Sequence, residues 1–138
     1  MRILILCTAN SARSQMAEGL MRHAAPPGTD VVSAGTVATF VRPEAIAVLA
    51  ELGIDISAQY SKTLDSVANG AFDYLITVCD NAREACPVLP GVRNQLHWSL
   101  PDPAAVSDEA ARLVAFRSVR DELRTRIDAF LHERQRLS

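Results

Sequence analysis

The sequence predicts a single α/β domain, residues 1–138, in which four parallel strands form a sheet flanked by helices. Three observations predict it. Short apolar runs alternate along the chain with longer segments whose apolar residues recur every three or four positions, and parallel neighbours need such crossover connections. With 138 residues, 49% of them hydrophobic and 22% charged, the chain can bury one core and is too short for two comfortable domains. No repeat, linker or low-complexity stretch interrupts it.

The first strand is Ile3 to Leu6, an apolar run that stops abruptly at the polar segment Cys7 to Ser14, the pattern of a buried strand entering a loop. From Gln15 to Ala24, Met16, Ala17, Leu20, Met21 and Ala24 line one helical face. Val31 and Val32 form the next strand, ahead of the turn-prone Ser33-Ala34-Gly35. A helix from about Pro43 to Leu52 turns Ile46 and Leu49 inward, with Pro43 at its start and Gly53 just past its end as punctuation. Tyr74 to Val78 is the third strand and Gln95 to Trp98 the fourth, Trp98 belonging to the core. From Ser107 onward, Leu113, Phe116, Val119, Leu123, Ile127 and Phe130 mark a long terminal helix whose first turn carries Asp108 and Glu109.

Composition narrows the function classes. The net charge is -2, and the arginines of the last third alternate with acids such as Asp121, Glu122 and Asp128. No positive field results, and nucleic acid is not an expected partner. The apolar stretch Ile3 to Cys7 is shorter than a signal-peptide core and far below the roughly 20 residues of a membrane span. The protein is expected in the cytoplasm, without a membrane partner and as a monomer. Three cysteines, an odd number, argue for thiols kept reduced rather than a structural disulfide framework.

Ligands of parallel α/β sheets sit beyond the carboxyl ends of the strands. Cys7, Cys79 and Asp102 all fall at or just past such ends. In Cys7-Thr8-Ala9-Asn10-Ser11-Ala12-Arg13-Ser14, five residues separate a cysteine from an arginine, between a strand and a helix N-terminus. The amides of such a loop can curl around a tetrahedral oxyanion while the helix adds positive potential. Arg13 can close the ring with a bidentate fork, a geometry lysine lacks. The same field favours a thiolate and makes Cys7 a nucleophile, with Ser11 and Ser14 as possible donors to its sulfur. The plainer alternative is a buried strand-end cysteine followed by an arginine that solvates a helix start.

Cys86 follows Cys79 by seven positions, too far for the usual zinc pair, and no second pair completes a site. The spacing can close a disulfide if the segment between them bends; two small buried hydrophobes are the alternative. Asp102, between Pro101 and Pro103, is either a general acid on a stiff loop or simply a turn residue. His23, His97 and His132 read as surface or packing residues, and Arg134 and Arg136 as partners of a helix C-terminus.

With these residues in hand, the chain resembles the thioredoxin-coupled arsenate reductases, which share the low-molecular-weight tyrosine phosphatase fold. The resemblance runs through Cys7 to Gly19, Ser33-Ala34-Gly35, Thr77-Val78-Cys79, Cys86-Pro87, His97-Trp98 and Asp102-Pro103. It implies that Thr8 to Ser14 bind arsenate, with phosphate or sulfate as competing oxyanions. It further implies that Cys7 attacks the arsenic, Arg13 holds the oxyanion and Asp102 protonates the departing oxygen. Cys79 then attacks Cys7, Cys86 attacks Cys79, and a thioredoxin reduces the resulting disulfide. No cofactor and no catalytic metal are implied.

The chain also departs from the family pattern. Ala9 stands where glycine is common, which would strain the loop by roughly 1 kcal/mol if that position needs positive φ. Ala12 replaces a second loop cysteine of some relatives. Some members bind potassium beside the loop; Asn10, Glu18 and Ser33 match part of that site, but Lys62 replaces an expected acid, and its ammonium is expected to stand in for the cation. Two rivals remain at this stage: a phosphatase acting through a Cys7 phosphoenzyme, although Ala104 and Ala105 follow Pro103 where tyrosines are usual, and an idle redox or oxyanion sensor.

Overall fold

In a computed structural model of the chain, the described residues are 1–67, 71–80, 92 and 94–137. Cys86 lies outside them. The elements are β1 (Arg2–Cys7), α1 (Arg13–Ala24), β2 (Asp30–Gly35), α2 (Pro43–Ala50), β3 (Tyr74–Thr77), β4 (Asn94–His97) and α3 (Glu109–Leu137), with 3-10 turns at Leu64–Ser66 and Pro103–Ala105. The four strands form one parallel sheet in the order β2-β1-β3-β4.

Alternation along β1 sorts its side chains between two layers. Ile3, Ile5 and Cys7 face a core shared with Met16 and Leu20 of α1, Val48 and Leu49 of α2, and Phe116, Leu123 and Ile127 of α3. Leu4 and Leu6 face a smaller cluster with Ala34 and Leu75, covered by Leu64, Val67 and Phe72. Helix α1 sits so close to the neighbouring layer that a Cβ on Gly19 would lie 2.5 Å from Ile56 Cγ2 and 2.8 Å from Leu49 Cδ2.

Several boundaries differ from the sequence reading for identifiable reasons. Ser33, Ala34 and Gly35 are strand, not turn, because they pair with Ile5, Leu6 and Cys7. Helix α1 begins at Arg13, two residues earlier than the apolar period shows, since its first turn belongs to the site rather than to the core. The fourth strand is Asn94–His97 and exposed throughout, because it forms the sheet edge; burial resumes beyond it at Trp98 and Leu100. Asp108 precedes α3 and caps it, its Oδ2 accepting from the Ala111 amide at 2.8 Å. Arg134 does more than complement a dipole: Nη1 donates to the Tyr74 hydroxyl at 2.6 Å, and the guanidinium lies over the Tyr74 and Phe130 rings. No described helix is long and apolar enough to cross a membrane.

Candidate active site

The order β2-β1-β3-β4 sends the two connections around β1 to opposite sides, so a crevice opens at the carboxyl end of that strand. Cys7 is the last residue of β1, a free thiol only 3% exposed. The next five residues run directly into α1, whose first turn has neither a side-chain cap nor an acid. Its leading amides are thereby left for an anion.

The loop is held open from outside by its carbonyls. That of Thr8 accepts from Thr36 Oγ1 (3.0 Å) and the Val37 amide (3.2 Å), and that of Ala9 from Thr39 Oγ1 (3.2 Å) and Ser61 Oγ (3.1 Å). The Asn10 carbonyl accepts from Gln15 Nε2 (3.1 Å) and that of Ser11 from the Arg42 amide (2.9 Å). With four successive carbonyls turned outward and, among the described residues, no acceptor on the amides of Ala9, Ser11 and Ala12, the loop is a concave array of donors. Gly35 makes this approach possible: a Cβ there would lie 2.6 Å from the Thr8 carbonyl oxygen and 2.9 Å from the Asn10 nitrogen.

Asn10 is the hub of the array. Its Nδ2 donates to Ser14 Oγ (2.8 Å) and Ser33 Oγ (2.9 Å), while Oδ1 accepts from Gln15 Nε2 (2.9 Å) and the Lys62 amide (3.0 Å). Every hydrogen-bonding position of a fully buried side chain is thus filled. Asn10 is also the one described non-glycine residue with positive φ, 49°. The strain expected at Ala9 therefore falls instead on asparagine, which tolerates the left-handed region by local hydrogen bonding. Among the described residues no hydrogen bond joins Cys7 Sγ to Ser11 or Ser14; Ser14 Oγ accepts from Asn10 Nδ2.

Arg13 is buried and donates through Nη1 to the Leu100 carbonyl at 3.0 Å. That bond ties Leu100, two residues before Asp102, to the first turn of α1. Asp102 Oδ1 accepts from the Ala104 amide at 3.0 Å and caps the short turn Pro103–Ala105.

Cys79 is fully buried and disulfide-bonded. Leu6 pairs with Thr77 and accepts from the Val78 amide at 3.0 Å, so Cys7 and Cys79 leave adjacent strands one register step apart. Val78 shares the layer of Cys7, and strict alternation would turn Cys79 to the opposite layer. β3 ends at Thr77, however, and Cys79 sits in a bend, so the bend rather than strand alternation sets the direction of its side chain.

Beside the loop, the buried Glu18 accepts through Oε1 from the Ser33 amide (2.8 Å) and Ser33 Oγ (2.7 Å). Lys62 Nζ lies 3.5 Å from the same oxygen, donates to the Tyr60 carbonyl at 3.2 Å and rests over the Tyr60 ring. Arg22 meets the second Glu18 oxygen at 3.3 Å. The carboxylate is already neutralised by side chains, so this donor set does not fit an additional monovalent cation. Among the described residues, no group of three or more His, Cys, Asp or Glu is placed to hold a metal. Sequence reading missed Gln15, Gln59 and Ser61, because the hydrogen bonds that recruit them join residues 44 to 52 positions apart.

The chain is similar to known proteins along nearly its whole length. The family model described as "Low molecular weight phosphotyrosine protein phosphatase" matches residues 2–137. An arsenate reductase of Halalkalibacterium halodurans is 42% identical over 129 residues, 93% of each chain. An arsenate reductase solved in the phosphate-binding state superposes with a TM-score of 0.80 at 31% identity, over 96% of this chain and 97% of that one. A thioredoxin-dependent arsenate reductase of Corynebacterium glutamicum gives 0.74 at 30% identity, over 99% of this chain and 63% of that longer one.

Proposed function

The chain belongs to the low molecular weight phosphotyrosine protein phosphatase family, and within that family we propose that it is an arsenate reductase working through a three-cysteine relay, as a cytoplasmic monomer reduced by thioredoxin. The observation that carries this reading is the placement of two thiol positions: Cys7 ends β1 at the mouth of the donor loop, and Cys79 leaves the neighbouring strand one register step away.

The Cys7 sulfur attacks arsenic(V), the loop amides and Arg13 bind the remaining oxygens, and Asp102 gives a proton to the oxygen that departs as water. Cys79 then attacks Cys7 Sγ. The sulfur–arsenic bond breaks, its electron pair stays on arsenic, and arsenite leaves. Cys86 attacks Cys79 in turn, which frees Cys7 and leaves a Cys79–Cys86 disulfide for the dithiol of thioredoxin. The net reaction is arsenate plus dithiol giving arsenite, disulfide and water. Movement at the Cys79 bend is the step that carries oxidation away from the cradle. Lys62 supplies beside Glu18 the positive charge that a bound cation supplies elsewhere in the family.

The loop and Asp102 also suffice to hydrolyse a phosphomonoester, and the family description favours this as a second activity of the same site. Arsenite release coupled to thioredoxin, thioredoxin reductase and NADPH, measured beside aryl phosphate hydrolysis, tests both. Cys7→Ser abolishes both activities, whereas Cys86→Ser permits one round of arsenate reduction and then stalls. A Cys86→Ser enzyme that cycles normally with thioredoxin refutes the relay.

A further inference from the structure

The segment from Leu100 to Ser107 is gripped by guanidinium groups at both ends. Arg13 donates to the Leu100 carbonyl at one end. At the other, Arg112 Nη1 donates to the carbonyls of Val106 (3.1 Å) and Ser107 (3.2 Å). Asp102 lies between the two grips, its carboxylate committed to the turn that links them. Arg112 is itself anchored, since its Nε donates to Glu44 Oε2 at 2.7 Å. The same oxygen accepts from Arg42 Nη2 at 3.2 Å, and the Arg42 amide holds the Ser11 carbonyl at 2.9 Å. Three charged side chains therefore connect the oxyanion loop to the loop that carries the acid.

We propose that Arg112 is a positioning residue for the reaction: by holding Val106 and Ser107 against Glu44, it sets where the Asp102 carboxyl stands relative to the Cys7 loop. The arrangement is built for stiffness. The Arg112 and Glu44 side chains are only 20% and 17% exposed, and a planar fork that serves three acceptors loses little freedom per bond. Burial pushes the Glu44 carboxyl up, but the Arg112 hydrogen bond, its own backbone amide and the charges of Arg42 and Arg112 more than offset it and hold it below the ordinary value. The anchor is thus an anion at neutral pH. A displacement of about 1 Å at a reacting group is worth up to roughly 100-fold in rate, so a loosened Asp102 loop should be kinetically visible.

This inference rests on Asp102 being the general acid, and the test separates the two ideas. Single-turnover arsenite formation by the fully reduced chain at saturating arsenate is compared for wild type, Arg112→Met, Asp102→Asn and the double variant, alongside the Kd for inorganic phosphate. Arg112→Met is expected to lower the rate about 10-fold with the phosphate Kd changed less than about 2-fold, and to cost nothing further in the Asp102→Asn background. If the two losses multiply, or if phosphate affinity falls in step with rate, Arg112 is a structural residue only and the proposal is overturned while the acid role stands. If Asp102→Asn alone leaves the rate unchanged, both ideas fail. Should Arg112→Met not fold, Glu44→Gln, which releases the anchor, enters the same double-variant comparison with the same expected dependence on Asp102.

Discussion

The Arg13 guanidinium donates to the Leu100 carbonyl at 3.0 Å, so one buried side chain belongs at once to the oxyanion loop and to the loop of the acid. Arg13→Lys keeps the charge but loses the fork, and with it the tie to Leu100. The expected outcome is a fall in kcat/KM for arsenate of roughly 100-fold, the scale for losing an oxyanion donor. A variant with near wild-type kcat/KM would show that charge alone suffices.

Asn10 should be the least replaceable residue of the loop apart from those that react. Asn10→Ala strands four polar partners and leaves at φ 49° a residue without the side-chain hydrogen bonds that let asparagine occupy the left-handed region. A destabilisation of about 3 kcal/mol or more is expected in urea unfolding. Asn10→Gly relieves the backbone but not the hydrogen bonds, and should recover about 1 kcal/mol of that loss.

Lys62 predicts indifference to potassium. Replacing sodium chloride by potassium chloride at equal ionic strength should leave both turnover and melting temperature of the wild-type chain unchanged. Lys62→Ala, which uncovers one oxygen of Glu18, should lower the melting temperature. A potassium-specific rise in the wild type would show that the ammonium does not replace the cation.

Glu51 closes α2 onto α3, meeting Arg117 at 2.8 Å and Arg120 at 2.7 Å. Hydrogen bonds from Arg117 and Arg120 hold its carboxyl at about 2, below the ordinary 4.5. Because the folded value is the lowered one, the contribution is present in full above the unfolded value of 4.5 and is lost as pH falls toward 2. The stability gap between wild type and Glu51→Gln should stay constant from pH 7 to about 5 and shrink between 4.5 and 2. Chemical denaturation at pH 7, 4 and 2.5 checks this, and a gap independent of pH would remove the ion pair as its cause.

Most of the layer structure is legible from periodicity. Ile3 to Leu6, the α1 face around Met16 and Leu20, and the α3 series from Leu113 to Phe130 all lie where their spacing puts them. Legibility fails where neighbours decide: Ser33-Ala34-Gly35 has turn composition, but pairing with β1 makes it strand. The exposed β4 carries no strong signal because an edge strand buries little.

The order of residues by itself determined the fold class and the place of the Cys7 to Ser14 loop, because a cysteine and an arginine with five residues between them, flanked by a strand and a helix, are local features. Only the tertiary structure decided which groups serve that loop. Asn10 binds Ser33 and Lys62, Arg13 binds Leu100, and Glu44 joins Arg42 to Arg112, over separations of 23 to 87 positions where each partner is distant. Hydrogen bonds across such distances leave no periodic trace along the chain; they exist only once the packed sheet and helices have brought their partners within 3 Å or so of one another.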